Sequence, residues 1–135
     1  MQNKSFNYFL EQFADIKIMQ FEVPGFEKLT LQHKRLLFNL SQAALCGRDI
    51  LYDQNYKYNL LVRRVLEAIY IGYSGDRSNN DFTAFTIYLK KVWFANGIHH
   101  HYSAEKFVPG FSAAYFKALI ALTPPNNFPL QESVS

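Results

Sequence analysis

Four stretches of this chain repeat apolar residues at helical spacing, each closed by residues that stop a helix, and that pattern restricts it to a mainly α architecture. The longest spans 31–53. Thr30 is placed to cap it, and Leu36, Leu40, Ala43, Ala44, Gly47 and Leu51 share a face whose small members let another helix approach. Asp53-Gln54-Asn55 breaks the pattern. A second helix covers about 59–71, with Leu61, Val65, Ala68 and Ile69 on one face and Arg63 and Arg64 spaced to pair with Glu67. After the polar loop 74–80, a third helix runs from about 81 to 95 with Phe82, Phe85, Leu89, Val92 and Trp93 as its core stripe. Asn96-Gly97 ends it, Gly97 being expected to take the left-handed conformation of a helix stop. Ser112 caps a fourth helix over 113–122, with Phe116, Leu119 and Ile120 facing inward.

The remaining segments are shorter. Phe6, Phe9, Leu10 and Phe13 keep helical spacing and predict a short N-terminal helix. Ile16 and Ile18, then Phe21 and Val23, alternate as in a strand that Pro24-Gly25 ends. This one extended segment has no strand partner in this reading, and one strand cannot be a sheet. Pro124-Pro125-Asn126-Asn127 closes the last helix, leaving 1–123 as a helical body and 124–135 as a disordered tail or linker. Tyr70, Ile71, Tyr73, Ile87, Tyr88 and Phe94 lie off the main stripes, where a free-standing four-helix array would be polar. The lone strand and these second apolar faces imply cover from outside, by the rest of a larger protein or by self-association.

A chain of 135 residues is about one domain and buries on the order of 70% of its unfolded surface. It needs no disulfide, and Cys46 alone cannot form one within the chain. The charged share of 19% is low enough to argue against extended disorder. No apolar run approaches the ~20 residues of a membrane span, and no basic segment followed by an apolar one marks a secretory signal near the start. A cytoplasmic chain with no membrane partner is expected. A net charge of +3 does not imply nucleic acid, and neither Lys90-Lys91 nor Arg63-Arg64 is interleaved with a stacking platform.

His99-His100-His101 is the obvious candidate for chemistry, because zinc favours imidazole nitrogen. In an extended segment His99 and His101 face the same way, and Glu105 could add a carboxylate. Zinc needs three or four ligands and groups that orient them, so no metal site is expected from this chain alone. The alternative is a polar loop whose imidazoles bond to backbone carbonyls. Arg48-Asp49 and Asp53 read as salt-bridging and capping residues, with substrate contact as the alternative. Cys46 has no basic neighbour and reads as an inert packed thiol, and His33 as a solvated surface residue. The eleven acids are scattered, with no pair marking a general acid and base. No Gly-rich phosphate loop, G-x-S-x-G or H-E-x-x-H is present, so no catalytic residue is assigned.

Longer patterns go further. Leu29-Thr30-Leu31-Gln32-His33-Lys34-Arg35-Leu36, continued by Leu40-Ser41-Gln42-Ala43-Ala44-Leu45-Cys46-Gly47, resembles the N-terminal helix of dipeptidyl peptidase III, a zinc exopeptidase family. Phe85-Thr86-Ile87-Tyr88-Leu89 and Asn96-Gly97-Ile98-His99-His100-His101-Tyr102-Ser103-Ala104-Glu105-Lys106-Phe107-Val108-Pro109 resemble its bacterial branch, where a similar N-G-I-H-H-H-Y run is followed by K-F-V-P. With Gly47-Arg48-Asp49-Ile50-Leu51-Tyr52-Asp53-Gln54-Asn55, the resemblance covers about 15–120.

Members of that family are much longer and two-lobed. Their zinc ligands come from H-E-x-x-G-H and E-E-x-x-x-D motifs in an upper lobe, and these 135 residues contain neither. The resemblance therefore implies the N-terminal, non-catalytic part of a zinc-dependent peptidase, in a lower lobe whose β-barrel would supply the strand's partners. It implies zinc in the parent and none on this chain. The parent's substrates would be short peptides losing N-terminal dipeptides, with the loop before K-F-V-P facing the cleft. Tyr102 is then the expected peptide-wall residue, with His99, His100 and His101 beside it and Asn96 and Gly97 setting the loop's course. The rival readings are a stand-alone helical peptide- or protein-binding module without activity, and a small metalloenzyme built on His99, His101 and Glu105.

Overall fold

The computed structural model describes residues 6–129. Its elements are mainly helical, and the chain divides between Arg48 and Asp49 into two units. In the first, the expected N-terminal helix is instead a strand. Phe9–Phe13 (β1) pairs antiparallel with Ile16–Met19 (β2), matching Phe13 with Ile16, Gln12 with Lys17, Glu11 with Ile18 and Phe9 with Met19. Gln20 N–H donates to the Tyr8 carbonyl at 2.9 Å and extends the ladder. The register shifts between Phe9 and Glu11, so Leu10 is an extra residue in β1. That bulge explains the misreading: one inserted residue turns a strand's alternation into the Phe9, Leu10, Phe13 spacing of a helix. Ala14, at φ 49°, makes the tight turn. The strand expected to lack a partner has one in the residues just before it, so that sign of a missing sheet falls away.

A 3-10 turn at Phe26–Lys28 leads to Leu31–Cys46 (α1), whose cap Thr30 accepts from the His33 N–H at 3.3 Å. The expected helix 31–53 is broken at Gly47, whose N–H donates to the Ala44 carbonyl at 3.3 Å and tightens the last turn. The chain restarts as Arg48–Asn55 (α2). No α1 residue is buried. Leu36, Leu40 and Leu45 are all exposed, as is Phe38 at 63%. Cys46 is exposed as well, which corrects the packed thiol expected there.

The second unit holds the core. Asn59–Gly72 (α3) packs against Asn80–Ala95 (α4), and Ala113–Ala121 (α5) adds Leu119 to the same core. Tyr52, Leu66, Ile69, Tyr73, Phe82, Phe85, Leu89, Val92 and Leu119 form one buried cluster. Asn79 caps α4 by accepting the Phe82 N–H at 2.7 Å, and Ser112 caps α5 by accepting the Tyr115 N–H at 3.1 Å. Several off-stripe residues prove internal: Tyr73 is buried and stacks on Phe82 at 5.3 Å, and Tyr70 is half-buried. Ile71 and Phe94 are exposed. Trp93 sits at the core's polar edge, its Nε1–H donating to Glu67 at 2.8 Å. Arg63 donates to Glu67 at 2.8 Å and to Asp49 at 2.5 Å, and lies over the Tyr52 ring. Asp49 is thus a structural ion-pair partner that joins α2 to α3.

Gly72 lets the chain return across the end of α3, since a Cβ there would overlap Asn127 and lie 3.2 Å from Thr123. The expected tail is accordingly ordered as far as 129: Pro125–Asn127 forms a 3-10 turn and Phe128 packs on the core. The rest of that expected tail, 130–135, lies outside the described residues. Among the described residues, no helix is long and apolar enough to cross a membrane.

Leu89 is fully buried, so Leu89→Ala should cost about 3 kcal/mol, read as a lower urea midpoint with the slope unchanged. Burial pushes the Tyr88 phenol above its ordinary value. The folded state therefore favours the neutral phenol, and this stability is present below about pH 10 and lost as pH rises beyond it. Tyr88→Phe should flatten that alkaline fall in a pH series of unfolding midpoints.

Candidate functional site

The histidine segment is built by the end of α4. Asn96 carries the left-handed conformation, at φ 54° and ψ 40°, and both its own N–H and that of Gly97 turn back to the Val92 carbonyl. Gly97 was expected to fill that role; it stands instead at φ 154°, a positive φ that itself favours glycine. A Cβ on Gly97 would overlap the side-chain amide of Asn59, so glycine is needed there for space.

That space belongs to Asn59, the first residue of α3, which is fully buried. Its side chain caps no helix. Its Oδ1 accepts the Ile98 N–H at 3.1 Å and ties the start of α3 to the loop after α4. Because a backbone N–H occupies that end of the amide, the other end must be the NH2. Nδ2 is the buried side-chain atom without a hydrogen-bond partner among the described residues. Leaving such a donor unpaired costs about 1–3 kcal/mol.

From Ile98 the chain forms a short hairpin. Phe107 N–H donates to the Ile98 carbonyl at 2.8 Å, His99 bridges Lys106, and His100 N–H donates to the Glu105 carbonyl at 2.7 Å. Ser103 N–H reaches the His100 carbonyl at 3.1 Å and closes a tight turn with His101 and Tyr102 at its tip. His100 Nδ1 accepts the Tyr102 N–H at 3.2 Å, so a neutral His100 carries its proton on Nε2. The rings hold one another: His100 stacks on His101 at 4.4 Å, His101 meets Phe94 edge-on at 5.0 Å, and His99 meets Tyr56 at 5.8 Å.

The result is a pocket of about 340 Å³ lined by Asn55, Asn59, Ala95, Gly97, the three histidines, Ser103 and Ala104. Of the residues expected at a site, Gly97, His99, His100 and His101 converge on it. Asn96 shapes the turn without lining the pocket. Tyr102 stands outside at the tip, 87% exposed, its ring 4.2 Å from that of His101. Asn55, Asn59 and Ser103 escaped the sequence reading. Asn59 carried one signal, a polar residue opening a helix that needed a cap. Among the described residues no three His, Cys, Asp or Glu side chains are grouped to bind a metal ion, and His99, His101 and Glu105 are not such a trio.

No protein-family model matches this chain, and no curated protein matches it.

Gly97→Ala should displace Asn59, break its bond to Ile98 and cost about 1–3 kcal/mol. The check is a lowered melting temperature accompanied by loss of protection at the Ile98 amide.

Proposed function

We propose that this chain is the non-catalytic N-terminal portion of a zinc-dependent peptidase of the dipeptidyl peptidase III type, contributing a wall of the cleft that holds short peptides. The observation that carries the reading is a coincidence of sequence and place. The run Asn96–Pro109, on which the resemblance mainly rests, is also the run that folds into a hairpin beside a pocket lined by its histidines, with an exposed aromatic tip. Tyr102 would lie against the peptide, and Gly97 and Asn59 would fix the course of the loop that presents it. Zinc and the water-activating glutamate would come from the remainder of the parent, in the cytoplasm. The uncovered apolar residues of α1 support a partner for that helix, either the remainder of the peptidase or a second copy of this chain.

A stand-alone peptide- or protein-binding module is the second reading. The buried cluster of the second unit favours it, because its residues, from Tyr52 to Leu119, all lie within that unit.

The test is to express the full natural reading frame and measure release of dipeptides from a dipeptidyl naphthylamide. Chelator-sensitive release is expected, with kcat/KM about tenfold lower in Tyr102→Ala. A frame that releases nothing, or kinetics indifferent to Tyr102→Ala, overturns the peptidase reading. Peptide binding by a frame that releases nothing supports the module.

A further inference from the structure

The second unit holds a further pocket of about 340 Å³ that shares no lining residue with the one beside the histidines. Leu61, Val62, Val65 and Leu66 of α3 supply part of its lining, and the rings of Tyr88, Phe111 and Phe116 another part. Leu61 is exposed and Leu66 is buried, so the lining reaches from the surface to the core. No charged side chain lines the space, and Tyr88 brings its only polar side-chain atom. That phenol oxygen has no hydrogen-bond partner among the described residues, and it is not sealed from solvent as Asn59 Nδ2 is. The rings already meet in favourable geometry: Tyr88 is edge-on to Phe111 at 5.9 Å, and Phe111 is tilted against Phe116 at 6.0 Å. Water gains little from such walls, so a ring that displaces it is favoured.

We propose that this pocket binds a small, uncharged aromatic molecule of about two fused rings, held against Tyr88, Phe111 and Phe116 with its polar atom bonded to the Tyr88 hydroxyl. The size follows from the volume, since an apolar cavity of about 150 Å³ takes one benzene ring. A charged ligand is excluded because nothing in the lining compensates a buried charge. A free molecule suits the pocket better than the side chain of a docked peptide. Pro109, which also lines the space, has no N–H, and Leu61 to Leu66 spend their carbonyls along α3. A peptide backbone lying there would find few hydrogen-bond partners. The site lies within the second unit and does not rest on the peptidase reading.

The experiment titrates the full chain with indole, indole-3-carboxylate and N-acetyltryptophanamide while following the methyl resonances of Val62, Val65 and Leu66 by NMR. Indole should give saturable shifts at these methyls. Indole-3-carboxylate should bind about tenfold more weakly, because its charge finds no partner in the pocket. N-acetyltryptophanamide, whose ring carries a peptide backbone, should also bind more weakly than indole. Tyr88→Phe keeps the ring and removes the hydroxyl, so it should weaken indole binding about 2- to 10-fold. Val65→Phe should fill the space and abolish the shifts. Should that overpacked variant fail to fold, the conservative Tyr88→Phe still decides. No saturable shift with indole, equal binding of indole-3-carboxylate, tighter binding of N-acetyltryptophanamide, or unchanged affinity in Tyr88→Phe would overturn the site.

Discussion

One hydrogen bond sets the site: the buried Asn59 side chain accepting the N–H of Ile98. It joins the first turn of α3 to the backbone just past α4, two places far apart in sequence. Its geometry needs Gly97, because any side chain there would occupy the space of the amide. It needs Asn96 in the left-handed conformation to swing the chain off the end of α4. Everything beyond follows from that anchor: the ladder from Ile98 to Phe107, the turn through His101 and Tyr102, and the pocket beneath. The bond also fixes the orientation of the amide, with its oxygen toward Ile98.

The anchor is steady because α3 and α4 are. Their facing residues Leu66, Ile69, Phe85, Leu89 and Val92 are buried, and the Asp49, Arg63, Glu67 and Trp93 network binds α2, α3 and α4 along one edge. Burial alone would lower the Arg63 pKa, but its bonds to Glu67 and Asp49 outweigh that and raise it, so the guanidinium stays charged. The first unit is different in kind. A two-stranded hairpin is marginally stable in water, and α1 offers its leucines to solvent without a buried residue. The demand for a partner is therefore strong at α1, whereas Tyr70 and Tyr73, where the sequence reading placed part of it, stack on Phe82.

Much of this was legible from residue patterns. Helix spacing located α3, α4 and α5 to within a residue or two, because those helices bury a single stripe, and Ser112 marked the start of α5. The strand β1 was hidden by its bulge, which mimics helical spacing, and the break at Gly47 lay inside an unbroken apolar pattern. At the site, the histidines and Gly97 were visible as a motif. Asn59 showed only as a polar residue opening a helix, since its partner stands 39 positions away and no local rule connects them. Tyr102 stood out by its place in a family-like run, while its exposure is a matter of the turn that the loop's backbone bonds dictate.

The Asn59 side chain holds the start of the histidine loop against α3. The most direct measurement is native-state hydrogen exchange at the Ile98 amide. If Asn59 anchors the loop, that amide should exchange about as slowly as the buried helical amides of α4 in the native chain, and quickly in Asn59→Ala. Rapid exchange at Ile98 in the native chain, with the α4 amides still protected, would contradict it.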